Sequence, residues 1–198
     1  MYPDSLRKLI EFFKCLPGIG EKTAERLAFF VLQLDEEEVS GFSESLINAK
    51  KNLHKCSICN NITENEICSI CADHSRNGNI LCVVEDVRSL YMFEKSNVYN
   101  GYYHIIENLI SPLDGINPED IGLEKLLKRI KEENFKEIII AVKPSIEGET
   151  TSLYIKRILD GLDIKVTRIA SGIPMGADIE YIDFLTLERA INDRKEIA

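Results

Sequence analysis

The sequence predicts an α/β protein in three parts: a helical N-terminal domain, a small four-cysteine metal-binding segment, and a parallel sheet with helices on both faces. Three observations predict it. Through residues 1–53, apolar residues recur at three- and four-residue intervals, the period of an amphipathic helix. Residues 56–71 hold two CxxC pairs, which suit one tetrahedral metal ion. From residue 79 onward, short aliphatic runs alternate with helical patterns. That alternation requires crossover connections, hence parallel strands covered on both sides.

The first helix is "DSLRKLIEFFKCL", with Leu6, Leu9, Ile10, Phe13 and Leu16 on one stripe. "LPGIGEKTAERLAFF" follows. Pro17 ends the first helix, and Gly18 and Gly20 permit a tight turn with positive φ. The second helix buries Ala24, Leu27, Ala28 and Val31. A glycine-rich turn at a helix N-terminus exposes unpaired amides where the helix dipole favours an anion. Lys22 and Arg26 share one face beside it, at i and i+4. Two readings stay open: a phosphate site made by Gly18, Gly20, Lys22 and Arg26, or a plain interhelical turn with solvated cations. Phosphate contacts would be sequence-independent and salt-sensitive, and the interleaved Glu21 and Glu25 would weaken them. A third helix starts in "LDEEEV", whose acids complement its dipole.

The six cysteines are Cys15, Cys56, Cys59, Cys68, Cys71 and Cys82. Cys56, Cys59, Cys68 and Cys71 form C-x2-C-x8-C-x2-C. Four thiolates leave no open position for water, so a Zn²⁺ there is structural and folds a segment with little core of its own. Disulfides would need an oxidising compartment, which nothing in the sequence signals. Cys15 and Cys82 lie in apolar contexts and read as core residues. His54 and His74 flank the motif as competing ligands or as solvated side chains.

In the last part, "ILCVVE" (80–85), "YYHII", "EIIIAV" (137–142) and "KVTRIA" read as strands. "DVRSLYMFEK", "LEKLLKRIKEEN" and "ETTSLYIKRILDGL" read as helices between them. Ligands bind such sheets beyond the C-terminal strand ends. Glu85 ends the first strand, and Glu147 and Glu149 in "SIEGET" follow the third. If those strands are neighbours, three carboxylates converge and need a divalent cation or a basic partner. A final helix, "FLTLERAINDR", offers Leu185, Leu187, Ala190 and Ile191 for burial.

Net charge is −9, from 24 basic and 33 acidic residues, which excludes a uniformly basic nucleic-acid binder. Residues 1–55 carry 8 basic and 9 acidic residues, against 15 and 21 in residues 79–198. The acidity therefore belongs to the C-terminal part. No apolar run approaches the roughly 18–20 residues that span a bilayer, and "MYPDSLRKLIEFFK" lacks the apolar core of a signal peptide. The expectation is a cytoplasmic protein without a membrane partner.

Taken together, "LPGIGEKTAERLA", "CSICNNITENEICSIC", "LCVVED", "GYYHII", "ISPLDGINPEDI", "PSIEGETTSLYI", "KVTRIASGIPMG" and "EYIDFLTLERAI" resemble the bacterial recombination mediator family RecR over nearly the whole chain. The resemblance implies a helix-hairpin-helix DNA-binding domain (1–53), a four-cysteine zinc finger (54–78) and a Toprim domain (79–172). A C-terminal Walker-B-like segment (173–198) would make a subunit contact. It implies a homotetrameric ring that clamps single- or double-stranded, gapped DNA. With RecO and RecF, such a ring loads RecA onto single strands coated by SSB. On this likeness Lys22 and Arg26 contact DNA, the four motif cysteines hold one zinc, and the acidic cluster Glu85, Glu147 and Glu149 meets RecO.

The chain departs from the family pattern at Val142-Lys143-Pro144 (Thr-Asn-Pro), Ala170-Ser171-Gly172 (Ala-His-Gly), Ser89-Leu90 (Asp-Val) and Gly176-Ala177 (Gly-Gly). Lys143 could neutralise the acids, and Ser171 removes any histidine role. Catalytic Toprim enzymes resemble this arrangement but use Glu with Asp-x-Asp. Glu147-Gly148-Glu149 is one methylene longer at each position, which alters the reach to an octahedral Mg²⁺. No G-x4-G-K-[ST] accompanies the Walker-B-like "IEYID". The reading is a non-enzymatic acidic docking surface that holds Mg²⁺ weakly if at all. The alternative is a Mg²⁺-dependent nuclease or primase-like enzyme.

Overall fold

A computed structural model describes residues 2–170, 172–194 and 196; Ser171 lies outside the described residues. The chain divides into two compact units, residues 1–53 and 54–198. The first holds α1 (Asp4–Lys14), α2 (Glu21–Val31) and α3 (Glu36–Asn52). Ile10 of α1 packs on Ala24 and Ala28 of α2, with Leu6, Leu9, Phe13 and Ile19 around them. Two alanines on one stripe let the helices approach closely, which makes the hairpin tight despite a small core. α3 starts on a capping box: Asp35 accepts from the Glu38 amide at 2.8 Å, and Glu38 accepts from the Asp35 amide at 3.1 Å. No residue of α3 is buried, and Phe42, Leu46 and Ile47 face solvent.

The second unit begins with a two-stranded hairpin, β1 (His54–Lys55) and β2 (Ile62–Thr63), and a short helix α4 (Ser69–Ala72). Then come β3 (Asn77–Val84), α5 (Val87–Ser96), β4 (Gly101–Ile105), α6 (Leu123–Glu132), β5 (Glu137–Ala141), α7 (Ile146–Ile158), β6 (Lys165–Arg168) and α8 (Phe184–Asn192). The strands lie in the order β4-β3-β5-β6, all parallel. Period-two alternation sends Leu81 and Val83 to one face, where Ile138 and Ile140 join them under α6 and α7. Cys82 and Val84 point the other way, with Tyr103 and Ile105, toward Leu90 of α5 and the zinc-site cysteines. The zinc segment thus serves as part of the covering layer on one face of the sheet. Each fully buried aliphatic side chain in these layers contributes about 1.5–3 kcal/mol.

The outward carbonyls of β4 are each bonded. Arg76 Nη1 donates to the Gly101 carbonyl at 3.2 Å and Arg129 Nη1 to that of Tyr103 at 2.6 Å. The Ile105 amide donates to the Cys59 carbonyl at 2.9 Å, and Asn60 Nδ2 donates to the Ile105 carbonyl at 2.8 Å. Beside them His104 is fully buried, and neither ring nitrogen has a hydrogen-bond partner among the described residues.

Four expectations are corrected. Cys82 is buried, but Cys15 is exposed, because it caps the end of α1 outside the Ile10 stripe. Gly18 takes φ +80°, whereas Gly20 has φ −86° and needs no glycine-specific backbone. α7 begins at Ile146 rather than at Glu149, where the "ETTSLYIKRILDGL" pattern starts, because Ser145 caps the helix, so Glu147 and Glu149 sit in its first turn. α8 buries none of its residues, and Leu185 and Ile191 are exposed.

Candidate nucleic-acid interface, zinc centre and acidic cleft

Three places hold the residues the sequence singled out. At the α1–α2 turn, Gly20 is the N-cap of α2 and offers no side-chain acceptor, so the first-turn amides are left without a cap. Lys22 and Arg26 are exposed on that helix, and neither forms an ion pair among the described residues. Glu21 and Glu25 are engaged elsewhere. Lys14 Nζ reaches Glu21 at 2.7 Å and Glu11 at 3.1 Å. The Glu25 carboxylate lies beside Tyr2 and raises its hydroxyl pKa, while the Tyr2 ring meets Phe29 edge-on at 5.8 Å.

The four motif cysteines converge. Their sulfurs all lie within 4.8 Å of one another, and Cys59 and Cys68 Sγ are 3.6 Å apart. Metal–sulfur bonds of about 2.3 Å in a tetrahedron put sulfurs roughly 3.8 Å apart, so the donor set fits zinc. The amides of Asn61 and Cys68 donate to Cys59 Sγ at 3.4 Å and to Cys56 Sγ at 3.3 Å, which stabilises thiolates. Without a cation the sulfurs compete for protons. Cys68 bonds to Cys59 and Cys71 and is held well below the thiol range; Cys59 is pushed up to about 12, chiefly by Cys68, and Cys71 higher still, chiefly by Cys59. Zinc binding therefore releases protons. His54 and His74 are exposed and take no part in the cluster. The chain holds one structural zinc on Cys56, Cys59, Cys68 and Cys71.

At the C-terminal ends of the strands lies a cleft of about 400 Å³, lined by Glu85, Asp86, Glu107, Asp114, Glu147 and Lys143 among others. β3 and β5 are neighbours in register, as the acidic-cluster reading requires, and Glu85 and Glu147 share this cleft. Glu149 does not join them. It faces a separate, smaller pocket and pairs with Arg168 of β6, with Arg189 of α8 at 3.8 Å. The remaining acids are each satisfied locally. Glu85 accepts the Lys143 amide at 3.2 Å. Asp86 caps α5 through the Ser89 amide at 2.7 Å, which lowers its pKa. The Ser145 hydroxyl, its own amide and Lys143 lower that of Glu147. Among the described residues, the four cysteines are the one group whose ligand atoms crowd closely enough for a metal.

Sequence reasoning missed Glu107. It follows β4 with φ +67° and pairs with Lys55 of the zinc hairpin at 2.6 Å. The signal would have been its place right after the "YYHII" strand. Gly148 has a packing role: a Cβ there would sit 2.0 Å from the Lys143 carbonyl oxygen, so "EGE" needs its glycine.

A helical hairpin with uncapped amides and two exposed cations, a four-sulfur zinc site and a Toprim-like sheet are the parts of a zinc-containing protein of the nucleic-acid-binding class. Comparison with known families agrees in chain order. Residues 6–50 match the RecR helix-hairpin-helix, 53–73 the RecR four-cysteine zinc finger domain, 79–170 the Toprim domain and 172–195 the RecR C-terminal segment. The chain belongs to the RecR family, whose role is recombinational DNA repair. No helix among the described residues is long and apolar enough to cross a membrane.

Proposed function

We propose that the protein is a non-catalytic DNA clamp of the cytoplasm. It acts with RecO and RecF to load RecA onto gapped single-stranded DNA coated by SSB. Lys22 and Arg26, with the backbone at Gly18 and Gly20, hold phosphates without reading sequence. The cleft of Glu85 and Glu147 is the docking surface for a basic partner, RecO, while Glu149 anchors α8 rather than facing that partner. One observation carries the non-enzymatic reading: Glu149 is paired with Arg168, which leaves two of the three Toprim acids in the cleft.

A homotetramer fits the exposed apolar surface at both ends of the chain. Phe12, Phe30 and Phe42 lie in the first 53 residues, and Met175, Phe184 and Leu185 near the C-terminus. Patches of this kind mark interfaces. Assembly also explains how a chain of net charge −9 holds DNA: several weak hairpins engage at once and raise the effective concentration.

The test is incubation with supercoiled plasmid, with and without Mg²⁺, at two salt concentrations. A retarded band is expected that weakens with salt and is lost in Lys22→Ala/Arg26→Ala, with the plasmid still supercoiled after deproteinisation. Nicking that requires Mg²⁺ and vanishes in Glu85→Ala or Glu147→Ala would instead establish the enzyme reading.

A further inference from the structure

We infer that Lys14, on the first helix of the hairpin, is a positioning residue for DNA binding that works by neutralising Glu21 at the mouth of the phosphate-binding turn. The inference rests on the proposed DNA contact through Lys22 and Arg26.

Charge counting shows why such a residue is needed. Between residues 11 and 26 the hairpin carries Glu11, Glu21 and Glu25 against Lys14, Lys22 and Arg26. The two cations assigned to phosphate therefore have as many acids interleaved with them on α2. Glu21 is the more damaging, since it is the first residue of α2 and sits where the open amides and the dipole would meet an anion. A bare carboxylate there both repels a phosphate and competes with it for that positive helix end.

The geometry removes this conflict. Lys14 is the last residue of α1, and the turn brings it back across the hairpin to Glu21 at 2.7 Å. Glu11, one turn earlier on α1, accepts a second bond from Lys14 at 3.1 Å and fixes the ammonium in place. Both contacts stabilise the charged ammonium, with Glu21 the larger contributor. Lys14 Nζ thus spends two of its three donors on carboxylates, whereas Lys22 and Arg26 make no ion pair among the described residues. The division of labour follows: Lys22 and Arg26 face the DNA, and Lys14 keeps Glu21 from cancelling them.

Removing Lys14 leaves Glu21 within a Debye length of any phosphate at the turn, at about 6–8 Å in a watery dielectric. That repulsion corresponds to roughly a threefold loss of affinity per hairpin. Where two hairpins engage one strand the factors multiply, to about tenfold.

The experiment measures binding of a labelled single-stranded oligonucleotide by the full-length, zinc-loaded protein across a salt series. The variants are Lys14→Met, Glu21→Gln, Lys14→Met/Glu21→Gln, Lys22→Ala and Lys22→Ala/Arg26→Ala. Lys14→Met should weaken binding about three- to tenfold and keep the parent's salt slope, because no phosphate contact is lost. Lys14→Met/Glu21→Gln has the parent's net charge and should regain the parent's affinity. Glu21→Gln alone, a surface change that leaves the fold intact, should tighten binding by a similar factor. Lys22→Ala should lower the slope by about 0.7.

A reduced slope in Lys14→Met without rescue by Glu21→Gln would make Lys14 a phosphate contact and overturn the inference. Unchanged affinity in both Lys14→Met and Glu21→Gln would reduce the pair to a solvated surface bridge. Full binding by Lys22→Ala/Arg26→Ala would instead sink the underlying DNA reading, so the two failures are told apart.

Discussion

Substituting leucine for His104 should remove a stability loss that the parent protein suffers on mild acidification. His104 is fully buried in β4, and its ring nitrogens find no partner among the described residues. Burial first, then the nearby charges of Arg129 and Lys125, lower its pKa to about 3. In the unfolded chain it titrates near 6.5, its ordinary value. Between those values the unfolded chain binds a proton that the native state refuses, so acid favours unfolding. The penalty begins as pH falls through about 6.5 and stops growing below about 3. At pH 5 it amounts to about 2 kcal/mol, and at pH 7 to roughly 0.2.

Urea unfolding followed by tyrosine fluorescence reads this out, since six of the seven tyrosines lie beyond residue 53. The parent should lose about 2 kcal/mol more than His104→Leu between pH 7 and pH 5. At pH 7 the variant should match or exceed the parent, because leucine has a similar volume and no orphaned nitrogen. Equal pH dependence in the two proteins would show that native His104 takes its proton readily, and the burial argument would fail.

Two further changes test the packing described above. Gly148→Ala places a methyl 2.0 Å from the Lys143 carbonyl, and should cost about 1–3 kcal/mol, seen by calorimetry as a Tm several degrees lower. Gly20→Ala, whose new methyl meets nothing within 4 Å, should shift Tm far less; equal shifts would mean that the close approach is not what demands glycine. Stripping the metal with a strong chelator should release one zinc per chain and erase amide-exchange protection across residues 54–72. The α1–α2 hairpin should keep its protection. Retained protection around Cys56–Cys71 after complete zinc release would show that the segment folds without metal.

Much of this architecture could be read from spacing alone. The Ile10, Ala24 and Ala28 stripe, the four-cysteine cluster and the parallel β3–β5 pair all depend on local periodicity or fixed motif spacing, which sequence displays directly. What escaped depends on partners far along the chain. Glu149 looked like a cleft acid because its neighbours in sequence are Gly148 and Glu147; its ion-pair partner Arg168 is 19 residues away, on β6. Cys15 lies in an apolar string, but the helix ends one residue before it and turns its side chain outward. Leu185 and Ile191 follow a helical stripe, and periodicity cannot say whether that stripe meets its own chain or another surface. His104 reads as one more residue of an apolar strand, and nothing local reveals two unpartnered nitrogens.

The bonded edge of β4 has a consequence for how the molecule tolerates metal starvation. A parallel sheet has two open flanks, and an unguarded flank is a template for pairing with another chain. One flank here is β6, four residues long and bearing Lys165 and Arg168, the kind of short, charged strand that discourages such pairing. The other is β4, whose Ile105 amide and carbonyl are bonded by the Cys59 carbonyl and the Asn60 side chain, both within the first cysteine knuckle. The zinc ion therefore guards a sheet flank that lies outside its own coordination sphere. A chain that has lost its metal bares the Ile105 end of that flank, while Arg76 and Arg129 still hold the Gly101 and Tyr103 carbonyls, so any self-association through strands should start at that end.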